Sequence, residues 1–373
     1  MSEYQYYEFR TIDSPLTAIQ KETLSSISSR ARVTSHTASF VYNYGSFHGD
    51  AEKLMTDCFD AMLYVSNWGS KRLIFRLPPE LMDMKLLGTF SVSEEIDRRM
   101  TRDKKYVLLE FDFQEEEPGN WIEGDGWLDD LIGLREELLQ GDLRGIYLAW
   151  LKAAETAFLI DNIDADTLEP PVPEGLNDLS PAQQALVQYL EINEAMIAVA
   201  AQKSGPQQKN DALENHIDKL PLSEQIDYLI RLSRGENNLS VLLNRRLLQL
   251  AGQKAQTGDN TDQRTISALV EASKVWHEEK KKEDQRQAEL VRQQEIEALL
   301  PKENSVWREV DSYIKEKNAG AYKNAVKLLI DLRDLAEYQK NLKKFKERLN
   351  DIKKKCSNRP ALISRMKEAK LIS

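Results

Sequence analysis

The feature that most constrains the fold of this 373-residue chain is the point at which strand-like patterns give way to helical ones. Within the first 115 residues, short runs alternate apolar and polar side chains or are rich in β-branched and aromatic residues, as strands are. The clearest of these runs are Tyr4–Ile12, Arg72–Leu77 and Tyr106–Phe113. After residue 126 the apolar residues recur at helical spacing instead. This division predicts an α+β protein.

In more detail, we expect a small N-terminal mixed sheet with packed helices, followed by a predominantly helical region and a C-terminal helical hairpin. The sheet should hold about four strands, by the count of strand-like runs. Helices are predicted to begin at Ser14-Pro15, at Gly49-Asp50 and at Ser180-Pro181, because a capping side chain or a proline at the first helical position favours a helix start. The second of these helices is predicted to continue through Leu63.

Shifts in composition predict five parts of the chain. They are an α+β domain at 1–120, a helical hairpin at 121–160, an acidic proline-containing linker at 161–180, a helical region with a long polar helix at 181–300, and a basic helical hairpin plus a short terminal helix at 301–373.

The C-terminal part carries the most regular pattern. Leucines recur every seven residues at Leu328, Leu335, Leu342 and Leu349. A heptad stripe of this kind is typical of a helix that packs as in a coiled coil, so a single long helix is expected here. Arg359-Pro360 should end it and open the terminal helix.

Charge is distributed very unevenly along the chain. Residues 1–175 hold 17 Lys and Arg against 32 Asp and Glu, whereas residues 301–373 hold 19 against 10. The net charge of the whole chain is −10. An acidic front and a basic tail indicate surfaces for charged partners, or contact between the two ends.

The composition argues against several functional classes. Cys58 and Cys356 are the only cysteines and the four histidines are scattered, so neither a disulfide framework nor a zinc site is expected. Phosphate-binding glycine motifs are absent. No apolar run is long enough to span a membrane. We therefore predict no catalytic residues, no metal and no cofactor, and a cytoplasmic location.

One acidic cluster is a candidate site. Carboxylates crowd the end of a predicted strand and the loop that follows, at Glu110, Asp112, Glu115, Glu116, Glu117, Glu123, Asp125, Asp129 and Asp130. Glu110 and Asp112 should share one strand face, as a metal or acid–base site would need. No histidine or lysine lies nearby in sequence to complete such a site. The cluster is therefore interpreted as a solvated loop that could dock a basic partner.

Two groups of residues are the candidate interaction sites. The first is a predicted exposed turn with Asn67, Trp68, Lys71 and Arg72. The second lies on the basic tail outside its leucine stripe, at Lys343, Lys344, Lys353, Lys354 and Lys355. The tail lysines can form a solvated helix face, contact nucleic-acid phosphates, or clamp the acidic N-terminal region.

Two stretches carry a resemblance. YQYYEFRTID at Tyr4–Asp13 and LYVSNWGSKRLIFRLP at Leu63–Pro78 resemble the N-terminal part of a family of uncharacterised bacterial proteins. The C-terminal helices, with Leu329, Phe345 and Arg359-Pro360, are similar to those of several uncharacterised bacterial proteins, some of which bear SWIM zinc fingers. The zinc ligand patterns of those proteins are missing here, so no metal is carried over. The resemblance implies a bacterial, non-enzymatic protein.

Together these observations favour a non-enzymatic protein-interaction or scaffold subunit of a bacterial cytoplasmic assembly, with a protein as its partner. One alternative is a nucleic-acid-associated protein that binds the phosphate backbone non-specifically through the basic C-terminal helices. An unrecognised enzyme is the other.

Overall fold

The computed structural model describes residues 3–115, 123–206, 213–251 and 263–372. The chain forms two compact units, Met1–His277 and Glu278–Ser373. The α+β class is confirmed, with the sheet in the N-terminal part and helices dominating the rest.

The sheet has seven strands, all paired antiparallel. The strands are β1 (Gln5–Arg10), β2 (Arg32–Val33), β3 (Thr37–Tyr42), β4 (Ala61–Ser66), β5 (Ser70–Leu77), β6 (Ile96–Met100) and β7 (Val107–Gln114). Their order across the sheet is β2-β3-β1-β4-β5-β7-β6. The sheet is thus larger than the four strands expected from sequence.

Helices surround this sheet and extend beyond it. In the first unit they are α1 (Ala18–Ile27), α2 (Ala51–Asp57), α3 (Met84–Gly88), α4 (Trp127–Leu131), α5 (Gly133–Gln140), α6 (Arg144–Leu159), α7 (Pro181–Leu190), α8 (Glu194–Ala201), α9 (Leu222–Ser233) and α10 (Leu239–Leu250). The long helix α11 (Ile266–Leu299) has 34 residues, and the boundary between the two units falls within it.

The two faces of the sheet are buried differently. One face forms a large core with α4–α8, in which Phe75, Trp150 and Tyr189 are almost fully buried. The other face packs Phe9 and Phe40 against α1 and α2. This second core is smaller, and further along the same face the side chains of β5, β6 and β7 include several charged groups.

Local capping explains where two early helices begin and end. Thr17 rather than Ser14 caps α1, because Thr17 and Gln20 form a reciprocal capping box. Asp50 caps α2 as predicted, but the helix ends at Asp57 and Leu63 belongs to β4. The predictions of a helix start at Ser14-Pro15 and of a second helix through Leu63 were therefore wrong. Ser180 with Pro181 does begin α7.

The segment 161–180, predicted as a linker, lies inside the first unit. Leu168 forms a β-bridge with Thr265, and Glu169 and Leu176 are only 1% and 3% exposed. This segment, although rich in prolines and acidic residues, is therefore held against the start of α11.

The second unit is a helical bundle. It contains the rest of α11 together with α12 (Glu303–Glu316), α13 (Ala319–Tyr338), α14 (Leu342–Lys355) and α15 (Pro360–Glu368). Its core includes Trp307, Leu329, Phe345 and Leu362. Arg292 fastens α11 to α13 through ion pairs of 2.7 Å with Asp331 and Asp334.

The heptad stripe is not one helix. The chain leaves the helical path after Tyr338, and Lys340 adopts a left-handed backbone with φ of 56°. Asn341 N–H closes the turn by donating to the Ala336 carbonyl at 2.7 Å. Leu328 and Leu335 therefore lie on α13, whereas Leu342 and Leu349 lie on α14. The expectation of one continuous helix was wrong.

Candidate interaction surfaces

The turn between β4 and β5 holds the first predicted site. Asn67 is anchored to the residue just before β1, because its N–H donates to the Tyr4 carbonyl at 3.0 Å and its Oδ1 accepts from Tyr4 N–H at 2.9 Å. Gly69 has φ of +95°, and a Cβ there would meet the Glu115 carbonyl oxygen at 2.5 Å, so the turn requires glycine. Trp68 is 40% exposed and offers the apolar surface of this turn.

Lys71 and Arg72 follow the turn but point to opposite faces of the sheet. Lys71 is only 2% exposed, and its ammonium contacts Glu115 at 2.5 Å and Glu191 at 2.8 Å. This differs from the exposed position expected for it, because alternate strand residues face opposite sides and the Lys71 side is covered by helices. The structure therefore does not bring the four predicted residues into one surface.

Arg72 belongs to an ion-pair network on the less covered side of the sheet. Glu110 lies between the guanidinium groups of Arg72 and Arg99, and its side chain is 5% exposed. Asp112 and Asp97 flank this trio and are about half exposed. Glu110 and Asp112 do share one face, but the buried carboxylate is already paired twice.

The acidic cluster was one candidate for a metal site. Among the described residues, no group of three or more His, Cys, Asp or Glu side chains is placed to hold a metal ion. Glu116 and Glu117 lie outside the described residues. Where the structure describes the cluster, it does not form one surface, because Glu110 pairs with Arg72 and Glu115 with Lys71 on opposite sides of the sheet.

A different surface emerges on α9, which packs on α10 through polar groups. Glu224 forms two hydrogen bonds of 2.8 Å with Arg246, and Tyr228 OH donates to the Leu242 carbonyl at 3.4 Å. Helix α10 is anchored in turn, since Val241 joins the main core and Arg245 Nε donates to the Leu139 carbonyl at 2.9 Å. The polar side of α9 is therefore its inward side.

The apolar side of α9 faces outward. Leu222, Ile226, Leu229 and Ile230 recur at positions i, i+4, i+7 and i+8, which places them along one stripe of the helix. They are 71%, 48%, 65% and 42% exposed, and none of the residues of this 12-residue helix is buried. We call these four residues the α9 stripe. A strongly amphipathic helix that exposes its apolar side has the pattern of a docking element.

The position of the stripe predicts a contrast in stability between two leucines. Leu229→Ala should lower the free energy of unfolding by less than about 0.5 kcal/mol, because the side chain is already in water. Leu247→Ala on α10 should lower it by about 2–5 kcal/mol, because that side chain is 2% exposed. Urea denaturation measures both values. A loss of several kcal/mol in the Leu229 variant would mean that the stripe is buried in the free protein.

The tail lysines lie on α14, in the second unit. Phe345, Leu349 and Ile352 form the buried side of this helix. Lys343, Lys344, Lys354 and Lys355 are exposed, and Lys353 is partly buried. Within the described part of the chain, the four exposed lysines have no carboxylate at ion-pair distance. The structure thus brings the predicted tail residues together on one helix.

Comparison with known protein families, curated protein sequences and solved structures finds no match to this chain. Among the described residues, no helix is long and apolar enough to cross a bilayer.

The α9 stripe was not predicted from sequence as an exposed surface, although the helical spacing of its residues is visible in the sequence. The residues Leu222, Ile226, Leu229 and Ile230 show a clear helical period. Such a period normally marks the side that packs inward. The apolar side of α9 faces outward because the Glu224–Arg246 pair holds the polar side against α10. This pair joins residues 22 positions apart, and no local sequence pattern indicates it.

Proposed function

We propose that this chain is a non-enzymatic protein-interaction subunit of a bacterial cytoplasmic assembly, and that the α9 stripe receives an amphipathic helix of a partner protein. The observation that carries the proposal is the inverted orientation of α9, whose polar side packs on α10 while its apolar side is exposed. Exposed apolar stripes of this kind are characteristic of protein-binding surfaces.

The shape of the stripe supports a helical occupant. Leu222 and Ile230 are eight residues apart, so the stripe is about 12 Å long, at about 1.5 Å per residue. A helix laid along it contacts every member through its own i, i+3, i+4 positions. Neighbouring charges are already paired, since Arg231 contacts both Asp227 and Glu236, which favours an apolar anchor over a charged one.

The proposal is tested by capturing partners on the tagged full-length protein from a native bacterial lysate treated with nuclease. The variant Ile226→Asp/Leu229→Asp places two charges in the stripe, and a captured protein should lose at least about tenfold in affinity, since apolar anchors of this kind contribute about 2 kcal/mol or more. The purified pair is then measured by titration calorimetry.

The matched control is Asn237→Asp/Ser240→Asp, which adds the same two charges at exposed positions at the start of α10. Its affinity should stay within about twofold of the wild type, because acidic groups are tolerated at a helix N-terminus. Equal binding by the stripe variant and the control would refute the assignment of α9. Self-association lost in the stripe variant would instead assign the stripe to a second copy of the chain.

A further inference from the structure

The positive charge of the tail is concentrated in its last two helices. Residues 340–373 hold twelve Lys and Arg against three Asp and Glu, whereas residues 301–339 hold seven of each. The net charge of +9 on residues 301–373 therefore comes entirely from α14, α15 and the residues beside them.

In this region the arginines named below contact the helical bundle, whereas the exposed lysines face solvent. The Arg348 guanidinium lies 4.1 Å above the centroid of the buried Trp307 ring, and Arg359 donates to the Ile314 carbonyl. Arg365 donates to the Ala361 carbonyl at 2.8 Å. These arginines contact the bundle itself, and the exposed lysines carry the charge that faces solvent.

Four of the five exposed lysines of α14 form two rows, and the fifth, Lys346, lies outside them. Lys343 and Lys354 are eleven residues apart, as are Lys344 and Lys355, so each pair is stacked about three turns, or about 16 Å, apart along the same side of the helix. Glu347 and Asp351 lie between the rows. The acidic pair lowers the local potential but leaves both rows accessible.

We infer that the two lysine rows bind the phosphate backbone of nucleic acid without reading its sequence. The spacing within a row corresponds to about five base steps of duplex, at about 3.4 Å per step along each strand. Lysine ammonium groups are common phosphate contacts, and they bind phosphate as point charges without fixing which base lies beside it. This activity is independent of the α9 stripe, which lies in the other unit.

Two other anionic partners fit the surface less well. Protein interfaces are depleted in lysine and depend on apolar or aromatic anchors, and the apolar residues of α14 are directed into the bundle. Peripheral membrane helices insert an apolar side into the bilayer, and here Phe345, Leu349 and Ile352 are buried.

The test measures binding of the full-length protein to a random-sequence 20-base-pair DNA duplex by fluorescence anisotropy across salt concentrations. Four phosphate contacts predict that affinity falls about 100-fold between about 50 and 200 mM salt. Replacing Lys343, Lys344, Lys354 and Lys355 by Gln should weaken binding at least about tenfold at the lower salt and flatten this dependence. Shuffling the duplex sequence should leave the affinity unchanged.

The matched control replaces Lys302, Lys315, Lys323 and Lys327 by Gln. These four lysines are also exposed in the second unit, and their removal changes the net charge by the same amount. Affinity should stay within about threefold of the wild type, because these residues lie outside the two rows. The variant Glu347→Gln/Asp351→Asn should bind more tightly than the wild type, since it removes the negative charge between the rows.

Equal weakening in the two lysine variants would overturn the inference, because it would show a general charge effect. Absence of duplex binding at the lower salt would also overturn it. Binding to polyglutamate or to phosphatidylserine vesicles that is as tight as binding to the duplex would assign the rows to an acidic protein or a lipid surface instead.

Discussion

Replacing Asp60 by Asn is expected to lower the free energy of unfolding by about 3–5 kcal/mol, the effect of removing one partner from a buried ionic cluster. Asp60 is fully buried at the start of β4. It contacts the guanidinium of Arg76 at 2.8 Å and that of Arg135 at 3.6 Å, and it accepts hydrogen bonds from the N–H groups of Ile12 and Asp13. The substitution leaves two buried arginines without this charge.

Urea denaturation followed by tryptophan fluorescence measures this loss, because five of the six tryptophans belong to the first unit. Asp97→Asn is the control, since Asp97 pairs with Arg99 but its side chain is 51% exposed. That substitution should change the free energy of unfolding by less than about 1 kcal/mol. Equal effects of the two substitutions would contradict the account of the cluster.

The same carboxylate predicts a pH dependence. Burial alone would raise the pKa of Asp60, but Arg76, Arg135 and the two backbone N–H groups hold it below its usual value. A lowered pKa in the folded state adds stability above the unfolded-state pKa, about 3.9 for aspartate, and that stability is lost as pH falls through the folded-state pKa. The difference between wild type and Asp60→Asn should therefore be constant above about pH 5 and shrink at lower pH.

The second large effect is expected at Glu169. This carboxylate is 1% exposed and accepts two hydrogen bonds of 2.8 Å from Arg264, together with one from Tyr147 OH. Burial and the nearby carboxylate raise the pKa of Tyr147 well above its usual value, so its hydroxyl keeps its proton and remains the donor. Glu169→Ala should lower the free energy of unfolding by about 3 kcal/mol or more, because Arg264 then loses its counter-ion.

Glu169 also predicts a local change that proteolysis can detect. Its N–H donates to the Arg264 carbonyl at 2.8 Å, which helps to fasten the segment 161–180 to the start of α11. Trypsin should therefore cleave after Arg264 faster in Glu169→Ala than in the wild type. The double variant Glu169→Met/Arg264→Met should recover much of the stability, because it leaves no unpaired charge. A Glu169→Ala protein that is as stable and as resistant to trypsin as the wild type would contradict this role.

The sequence predicts the elements whose signals are local. Alternation marks β1, runs of β-branched and aromatic residues mark β5 and β7, and the Ser180-Pro181 pair marks the start of α7. The missed elements lack such signals. Strand β4 is central and nearly all its residues are buried, so its run of apolar residues also fits the end of a helix. Strand β6, with the sequence IDRRM, is a short edge strand that depends on pairing with β7.

The tail shows why periodicity alone was insufficient. The leucine heptads continue across the turn at residues 339–341, which holds neither glycine nor proline to mark a break. Leu335 and Leu349 both reach the same core, but from helices α13 and α14, so the pattern reflects burial and not continuity. The positions of the tail lysines on the exposed side of α14 were nevertheless predictable, because Phe345 and Leu349 define its inward side.

The interaction surfaces were predictable only in part. Lys71 and Arg72 are adjacent in sequence, and strand alternation separates them once β5 is recognised. Which of the two is buried depends on α7 and the residue that follows it, Glu191, and this long-range contact leaves no trace in the local sequence.

The most direct test of the proposed function is site-specific photocrosslinking in living bacterial cells that express the full-length protein. A benzophenone amino acid replaces Leu229, at the centre of the α9 stripe, or Asp227, which is an exposed residue of the same helix outside the stripe. The proposal predicts a crosslinked adduct with a different protein from position 229 and little or none from position 227. No adduct from position 229, or adducts of equal yield from both positions, would contradict it.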